Sequence, residues 1–172
     1  DNNEIIIANG RFHYYEGYSF QQVTIPIHLF KKLGIDHLII TNSSGSMNKN
    51  FSPGSLMVVK GHMDCTYRNS PNPPVIYSGP PYHDPGLIDL AFSAAKENDI
   101  ELKSGNYCWT LGPSYETPAE IKDMINLGGD AVGMSTVPEI ISAAELDMKV
   151  LTISRLTNFA AGITKKSLTH ED

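Results

Sequence analysis

The chain contains the stretch Gly112-Pro113-Ser114-Tyr115-Glu116-Thr117 and, further on, Ala131-Val132-Gly133-Met134-Ser135-Thr136-Val137-Pro138-Glu139. Thr117, the last residue of the first stretch, begins a Thr-x-x-Glu pattern, and Thr136 begins another within the second stretch. In each pattern a proline stands at the first or second helical position, which is typical of a helix N-terminus with a capping box. Two helices are therefore predicted to begin just after Glu116 and Ser135. A carboxylate at one helix start and a hydroxyl at the other suit a ligand that combines an N–H-bearing heterocycle with an anion.

Strand and helix patterns alternate on both sides of these two stretches. Apolar runs predict strands at 4–8, 37–41, 55–60, 107–111 and 149–154. Helical spacing predicts helices from Phe20 up to Gly34, after Asp84, and at the two helix starts above; Pro26 is expected to kink or restart the first of them. Alternating elements with short connections favour a layered α/β fold.

Composition narrows the class of protein. The chain has 172 residues, 41% of them hydrophobic and 19% charged, which predicts one ordinary domain with a real core. A net charge of -6 without a clustered basic face argues against nucleic-acid binding, and no apolar run is long enough to cross a membrane. Cys65 and Cys108 are far apart in the sequence and show no metal-binding or disulfide pattern, so a reducing, cytoplasmic setting is expected.

Two polar clusters follow predicted strands, where α/β sheets often place ligands. In the cluster 10–18, Arg11 offers a planar fork of donors suited to phosphate, and His13 can add another. Arg11 is equally compatible with a structural salt bridge, and Tyr15 with sugar binding or with plain packing. The cluster 41–48 is rich in Ser, Asn and Gly, which allows an anion-binding nest but is also common in ordinary turns.

The segment from Cys65 to Asp84 is rich in proline and cannot form a long element. Two interpretations remain open for it. It is a surface loop, or it is a lid over a binding site, since long loops are often functional.

Five blocks together resemble the purine nucleoside phosphorylases of the trimeric, low-molecular-mass type, and the bacterial members in particular. The blocks are 10–18, 41–45, 112–117, 131–139, and 156–158 continued by 167–171. The resemblance implies a mixed, twisted sheet flanked by helices, in the three-layer architecture of phosphorylases and hydrolases. It also implies a homotrimer, and reversible phosphorolysis of purine ribonucleosides and 2′-deoxyribonucleosides to the free base and pentose 1-phosphate.

The same resemblance implies three groups of site residues and no metal or organic cofactor. Phosphate is expected to bind Arg11, His13, Ser135 and the backbone N–H of Ser43, ribose to contact Tyr15, Met134 and His170, and the purine to contact Tyr115, Glu116 and Asn158. Among these, Glu116, Asn158 and His13 are the expected catalytic residues.

An amide at Asn158 suits a 6-oxopurine, because it can donate to O6 and accept from a protonated N7. Related methylthioadenosine phosphorylases carry Asp there, so inosine and guanosine are the expected substrates. His170 can hydrogen-bond a 5′-hydroxyl, which favours the same two substrates. A methylthioadenosine phosphorylase-like enzyme and a non-catalytic nucleoside-binding fragment remain as alternatives.

The sequence also departs from the family pattern. The domain, 1–172, lacks the Gly-rich phosphate turn expected before Arg11 and the helix expected after His170, so it is expected to be partial. The turn 42–46 reads Asn-Ser-Ser-Gly-Ser where Asn-Ala-Ala-Gly-Gly is usual. Because the 65–84 loop is short, Tyr77 is only a candidate for the aromatic residue that reaches a neighbouring subunit's ribose.

Overall fold

The computed structural model describes residues 4–68 and 70–164. A short 3-10 turn at Tyr14–Glu16 precedes the first helix. The helices are α1 (Phe20–Lys32), α2 (Pro85–Glu97), α3 (Pro118–Asn126) and α4 (Val137–Glu145), and the strands are β1 (His37–Ser46), β2 (Leu56–Asp64), β3 (Tyr77–Ser78), β4 (Leu102–Trp109), β5 (Ala131–Gly133) and β6 (Lys149–Phe159). The α/β class expected from the alternating pattern is confirmed.

The strands form one mixed sheet in the order β3-β2-β4-β5-β1-β6. β1 is parallel to β6 and β2 to β4, whereas β5 meets β1 antiparallel. β2 also pairs with β6 in antiparallel fashion, so the sheet curls round and closes on itself. The predicted mixed sheet with flanking helices is therefore confirmed, and its closure is a feature that the sequence pattern did not indicate.

The core explains why these segments adopt their elements. Apolar side chains of α1 and α4, among them Ile27 and Ile140, form one cluster with Leu38 and Ile40 of β1 and Val150 of β6. Alternate burial along β1 follows from the two-residue period of a strand. A second layer places Ile121 and Met124 of α3 against the ends of β2, β4 and β5. None of the helices in the described part of the chain has the length and apolarity needed to cross a membrane.

Polar side chains cap the N-termini of three helices. Ser19 caps α1 by accepting a hydrogen bond from the Gln22 N–H, and Thr117 caps α3 in the same way through Glu120. Asp84 caps α2. Pro26 lies inside α1, which continues through it to Lys32.

The strand predicted at residues 4–8 is wrong. The segment has no assigned secondary structure, and the side chains of Ile5 and Ile7 are 80% and 82% exposed. Residues 5–8 share a cavity with residues 37–41 of β1, but among the described residues β1 pairs with β5 and β6 and not with this segment. An apolar run becomes a strand only when another strand supplies its hydrogen-bond partners, and local sequence cannot provide these.

Smaller corrections concern α2 and the short strands. The helical spacing after Asp84 predicts that Phe92 and Ala95 both face the core; Ala95 is the buried residue of α2, whereas Phe92 is 36% exposed. The sequence also predicts that Gly105 ends the loop after this helix, whereas Gly105 lies within β4. β3 and β5 were not predicted, because two or three residues are too few to show a period.

A buried histidine pair joins β2 to the segment that precedes α2. His62 Nδ1 and His83 Nε2 are 3.0 Å apart, both side chains are 1% exposed, and Tyr77 and Tyr82 pack against the His62 ring. Burial, and secondarily the neighbouring His83, lowers the pKa of His62 to about 3, and burial lowers the pKa of His83 to about 4. Both rings are therefore neutral at neutral pH.

We expect acid to destabilise the fold through this pair. Below an unfolded pKa near 6.5 the unfolded chain binds protons that the folded chain excludes, so the free energy of unfolding falls as pH drops from about 6.5 towards 4. The loss at pH 5 is roughly 2 kcal/mol per histidine. In an NMR titration, the ring signals of His62 and His83 should stay in their neutral positions down to pH 5. Normal titration of His62 or His83 near pH 6.5 contradicts this account.

Candidate functional site

A cavity of about 360 Å³ opens where β1, β5 and β6 meet. Its other walls come from the segment after residue 10 and from the loop before α3. It brings together nine of the ten residues expected at the site: Arg11, His13, Tyr15, Ser43, Tyr115, Glu116, Met134, Ser135 and Asn158. The tenth, His170, lies outside the described residues.

A β-bulge shapes the floor of the cavity. Ser44 pairs with Leu156 and Gly45 with Asn158, so Thr157 is an extra residue on β6. In a regular strand, consecutive side chains point to opposite faces, and a bulge re-aims them. Here both Thr157 and Asn158 line the cavity. The bulge therefore allows two adjacent polar side chains to face the same ligand.

One end of the cavity suits an anion. The Arg11 guanidinium donates from Nε to Glu139 Oε1 at 3.1 Å and from Nη1 to Ser135 Oγ at 3.3 Å. Ser135 lies just before the N-terminus of α4, where the helix dipole favours negative charge. The salt-bridge and the ligand interpretations of Arg11 are compatible, because the ion pair with Glu139 fixes the guanidinium beside Ser135.

Thr136 holds the start of α4 in an uncommon backbone conformation, with φ +81°, which is rare for a β-branched residue. Its N–H donates to Glu139 Oε2 at 2.9 Å, while its hydroxyl accepts from Asn42 Nδ2 at 3.0 Å and lies 3.1 Å from Ser135 Oγ. When Thr136 donates onward to Ser135, the Ser135 proton is available to an anion. Such strain is typical of ligand-binding sites.

Aromatic and thioether groups form a further part of the cavity wall. The rings of His13 and Tyr15 stack with centroids 4.8 Å apart. Gly112, at φ +71°, lets Met134 and Tyr15 approach, because a Cβ there would lie 2.5 Å from Met134 Sδ and 3.0 Å from Tyr15 Cδ1. A glycine is required at this position for both reasons. These side chains give the cavity a partly apolar surface beside its polar groups.

Another part of the lining carries a carboxylate and an amide. Glu116 Oε1 accepts a hydrogen bond of 2.6 Å from the Thr110 hydroxyl. Asn158 Oδ1 accepts from the Thr157 hydroxyl at 2.8 Å, and its Nδ2 donates to the Phe159 carbonyl at 3.1 Å. Glu116 is held by one neighbour and Asn158 by two, and both keep further hydrogen-bonding capacity for a ligand. The arrangement can grip a heterocycle that presents both donors and acceptors.

Sequence reasoning missed several residues at this cavity. Glu139 was recognised only as part of a helix-capping pattern, although its carboxylate also orients Arg11. Its burial, at 7% exposed, was not visible from the sequence. Thr157 lies in one of the five blocks of the resemblance but was given no role, and Thr110 was not singled out. Ser44, Gly45, Val132, Gly133 and Ala160 complete the lining.

The lid interpretation of the segment 65–84 fails for this cavity, since none of its described residues lines it. Cys65, Thr66 and Tyr67 instead line a second cavity of about 290 Å³ on the other side of Tyr115 and Glu116. Cys65 packs beside Cys108, and their hydrogen bond, with burial, raises the pKa of the Cys108 thiol. Across residues 4–68 and 70–164, no cluster of three or more His, Cys, Asp or Glu side chains is arranged to hold a metal ion.

Comparison with known proteins gives the family. The model of the phosphorylase superfamily matches residues 1–172. The chain belongs to this superfamily. Within the superfamily it is 43% identical to purine nucleoside phosphorylase 1 of Geobacillus stearothermophilus over 98% of its length, 42% identical to that of Bacillus subtilis over 98%, and 38% identical to the Bos taurus purine nucleoside phosphorylase over 89%. The expected likeness to purine nucleoside phosphorylases is confirmed.

Solved structures in the superfamily share the fold. A Schistosoma purine nucleoside phosphorylase in complex with guanosine has a TM-score of 0.83 and 32% identity, with 94% of this chain and 64% of that chain covered. The Schistosoma enzyme with hypoxanthine gives a TM-score of 0.82 at 32% identity, over 94% of this chain and 63% of that one. The chain spans 64%, 65% and 57% of the lengths of the Geobacillus, Bacillus and bovine relatives.

We expect Glu139 to control anion binding through Arg11. Glu139→Ala removes the carboxylate that holds the guanidinium, so the affinity for inorganic phosphate should fall roughly tenfold to hundredfold, as for loss of a hydrogen bond to a charged group. Isothermal titration calorimetry measures the change. Glu145→Ala, at the exposed end of the same helix, is the matched control and should leave phosphate affinity unchanged. Unaltered phosphate binding by Glu139→Ala would show that Arg11 does not depend on this contact.

Proposed function

We propose that the protein catalyses the reversible phosphorolysis of purine ribonucleosides and 2′-deoxyribonucleosides, with a preference for 6-oxopurines such as inosine and guanosine. The observation that carries the proposal is that one cavity holds two sets of binding groups, which we call the anion end and the heterocycle end. Arg11 and Ser135 form an end for an anion, and Glu116 and Asn158 form an end for a heterocycle. A phosphorolytic site needs both ends, with the sugar between them. The family membership supports the same reaction.

In the proposed reaction a phosphate oxygen forms a bond to C1′ as the bond from C1′ to N9 of the purine breaks. The electron pair of the broken bond goes to the purine, which leaves with a proton gained at N7 or N9. The sugar passes through an oxocarbenium-like state that the adjacent phosphate stabilises. The products are the free base and pentose 1-phosphate, and no electron donor or acceptor is needed.

The anion end fixes and desolvates the nucleophile. Arg11 supplies the charge and Ser135 a hydroxyl at the N-terminus of α4, while His13 and the backbone N–H of Ser43 add donors. Holding phosphate below C1′ turns the attack into an effectively unimolecular step. Tyr15 then binds a ribose hydroxyl, and Met134 packs beneath the sugar.

The heterocycle end stabilises the leaving base. Glu116 accepts from N1–H, and Asn158 donates to O6 and accepts from a protonated N7, with Tyr115 against the ring. These hydrogen bonds strengthen as negative charge moves onto the purine, which is how they lower the barrier. Schistosoma relatives have been solved with inosine and guanosine, and also with adenosine, so the preference for 6-oxopurines rests here on the amide of Asn158.

The remaining parts of the proposal follow from the family rather than from the cavity. We propose a cytoplasmic homotrimer with no cofactor, in which phosphate is a co-substrate. His170 contributes to the ribose site. Tyr77, 46% exposed on β3, is the candidate for contact with a neighbouring subunit.

The reaction is tested with the purified protein. We expect release of hypoxanthine from inosine that depends on phosphate, and faster turnover of inosine than of methylthioadenosine. A xanthine-oxidase-coupled assay measures the release of hypoxanthine from inosine. Chromatography of the released bases compares the turnover of inosine with that of methylthioadenosine. Hypoxanthine binding without turnover would overturn the enzymatic proposal in favour of a nucleoside-binding protein. Faster cleavage of methylthioadenosine would favour the methylthioadenosine phosphorylase-like alternative.

The role of the Asn158 amide in substrate choice is tested by substitution. Asn158→Asp should lower kcat/KM for inosine and raise it for adenosine, because a carboxylate cannot donate to O6 but can accept from a 6-amino group. One mismatched hydrogen bond to a charged group predicts a change of roughly tenfold or more in the ratio of the two substrates. Asn50→Asp, at an exposed turn, is the control for the added charge. An unchanged ratio would remove Asn158 from the account of specificity.

A further inference from the structure

Thr110 lies directly behind Glu116, outside the main cavity. It follows the end of β4 and lines the second cavity, which shares Tyr115 and Glu116 with the first. Its hydroxyl donates to Glu116 Oε1 at 2.6 Å. The residue therefore cannot meet a ligand in the main cavity directly, but it touches the carboxylate that does.

The single proton of the hydroxyl is directed to the carboxylate. The other acceptor nearby, the Gly133 carbonyl, lies 3.4 Å from Thr110 Oγ1, near the limit for a hydrogen bond. A short O–H···O⁻ contact is charge-assisted and about twice as strong as a neutral one. Glu116 Oε1 is thus held from behind, and the rest of the carboxylate is left to face the cavity.

The support for Thr110 is itself rigid. The Thr110 N–H donates to the Gly133 carbonyl at 2.9 Å. Gly133 in turn has no room for a side chain, because a Cβ there would lie 2.3 Å from the Tyr107 hydroxyl, and Tyr107 is fully buried. The hydroxyl therefore has a fixed position relative to the floor of the cavity, to which Gly133 belongs.

We propose that Thr110 is a positioning residue that sets purine specificity by orienting the Glu116 carboxylate to accept from the N1–H of a 6-oxopurine. This inference rests on the proposed function. Thr110 adds a determinant of specificity that lies outside the substrate cavity and acts only through Glu116. A merely structural role would affect every nucleoside equally, whereas a positioning role affects those that present an N1–H.

The test compares two nucleosides in three variants. Thr110→Val keeps the shape of the side chain and removes the hydroxyl, Thr110→Ser restores the hydroxyl, and Thr110→Ala removes the hydroxyl with less risk of crowding. Thr152→Val is the matched control, because Thr152 is fully buried on β6, its hydroxyl has no partner among the described residues, and it does not line the cavity. The substrates are inosine and purine riboside, which has no N1–H.

We expect Thr110→Val and Thr110→Ala to lower kcat/KM for inosine roughly tenfold to hundredfold, and to change it less than about threefold for purine riboside. The KM for phosphate should not change, and hypoxanthine affinity, measured by calorimetry, should fall in parallel. Thr110→Ser should recover most of the loss. Thr152→Val should behave as the unsubstituted protein in every assay.

Two outcomes would overturn the inference while the proposed function stands. One is an equal loss for both nucleosides, and the other is unchanged hypoxanthine affinity in Thr110→Val and Thr110→Ala. If the unsubstituted protein neither cleaves inosine nor binds hypoxanthine, the proposed function fails first and this inference fails with it. Calorimetry of the unsubstituted protein with hypoxanthine distinguishes these cases before any variant is made.

Discussion

The parallel ladder between β1 and β6 is the constraint on which the rest of the structure depends. It runs from the pair His37 and Lys149 to the pair Ser46 and Phe159, and it joins segments more than 100 residues apart in the chain. Its apolar face is covered by α1 and α4, which fixes the start of α4 relative to the strand ends. Because the ladder carries a bulge near its end, Asn158 is aimed into the same space as Ser43.

An ion pair between Arg11 and Glu139 holds the N-terminal segment against α4. The Glu139 carboxylate is nearly buried, and such a charge is costly unless it is paired. It accepts from Arg11 on one oxygen and from the Thr136 N–H on the other. One side chain therefore caps a helix, offsets the cost of its own burial and positions the cation of the anion end. This explains how Arg11 has a defined place although the residues just before it form no strand.

Much of the architecture followed from local signals. The capping patterns at Thr117 and Thr136 mark true helix starts, since a cap is satisfied within four residues. The long apolar runs of β1, β2, β4 and β6 are strands because each is buried on at least one face. The run at 4–8 has the same composition and is not a strand, because pairing depends on a neighbour. The site residues were found through the resemblance of whole blocks, and their roles remain predictions.

The sequence by itself determined where helices begin, which segments are apolar and which chemical groups are available: a guanidinium, a hydroxyl, a carboxylate and an amide. Only the tertiary structure decided which of them meet. It closed the sheet through β2 and β6, placed Thr110 behind Glu116, and turned two consecutive residues of β6 towards one cavity. The physical reason is that caps and periods are local, whereas register, bulges and buried ion pairs are set by contacts between distant segments, whose geometry depends on the packing of the whole sheet.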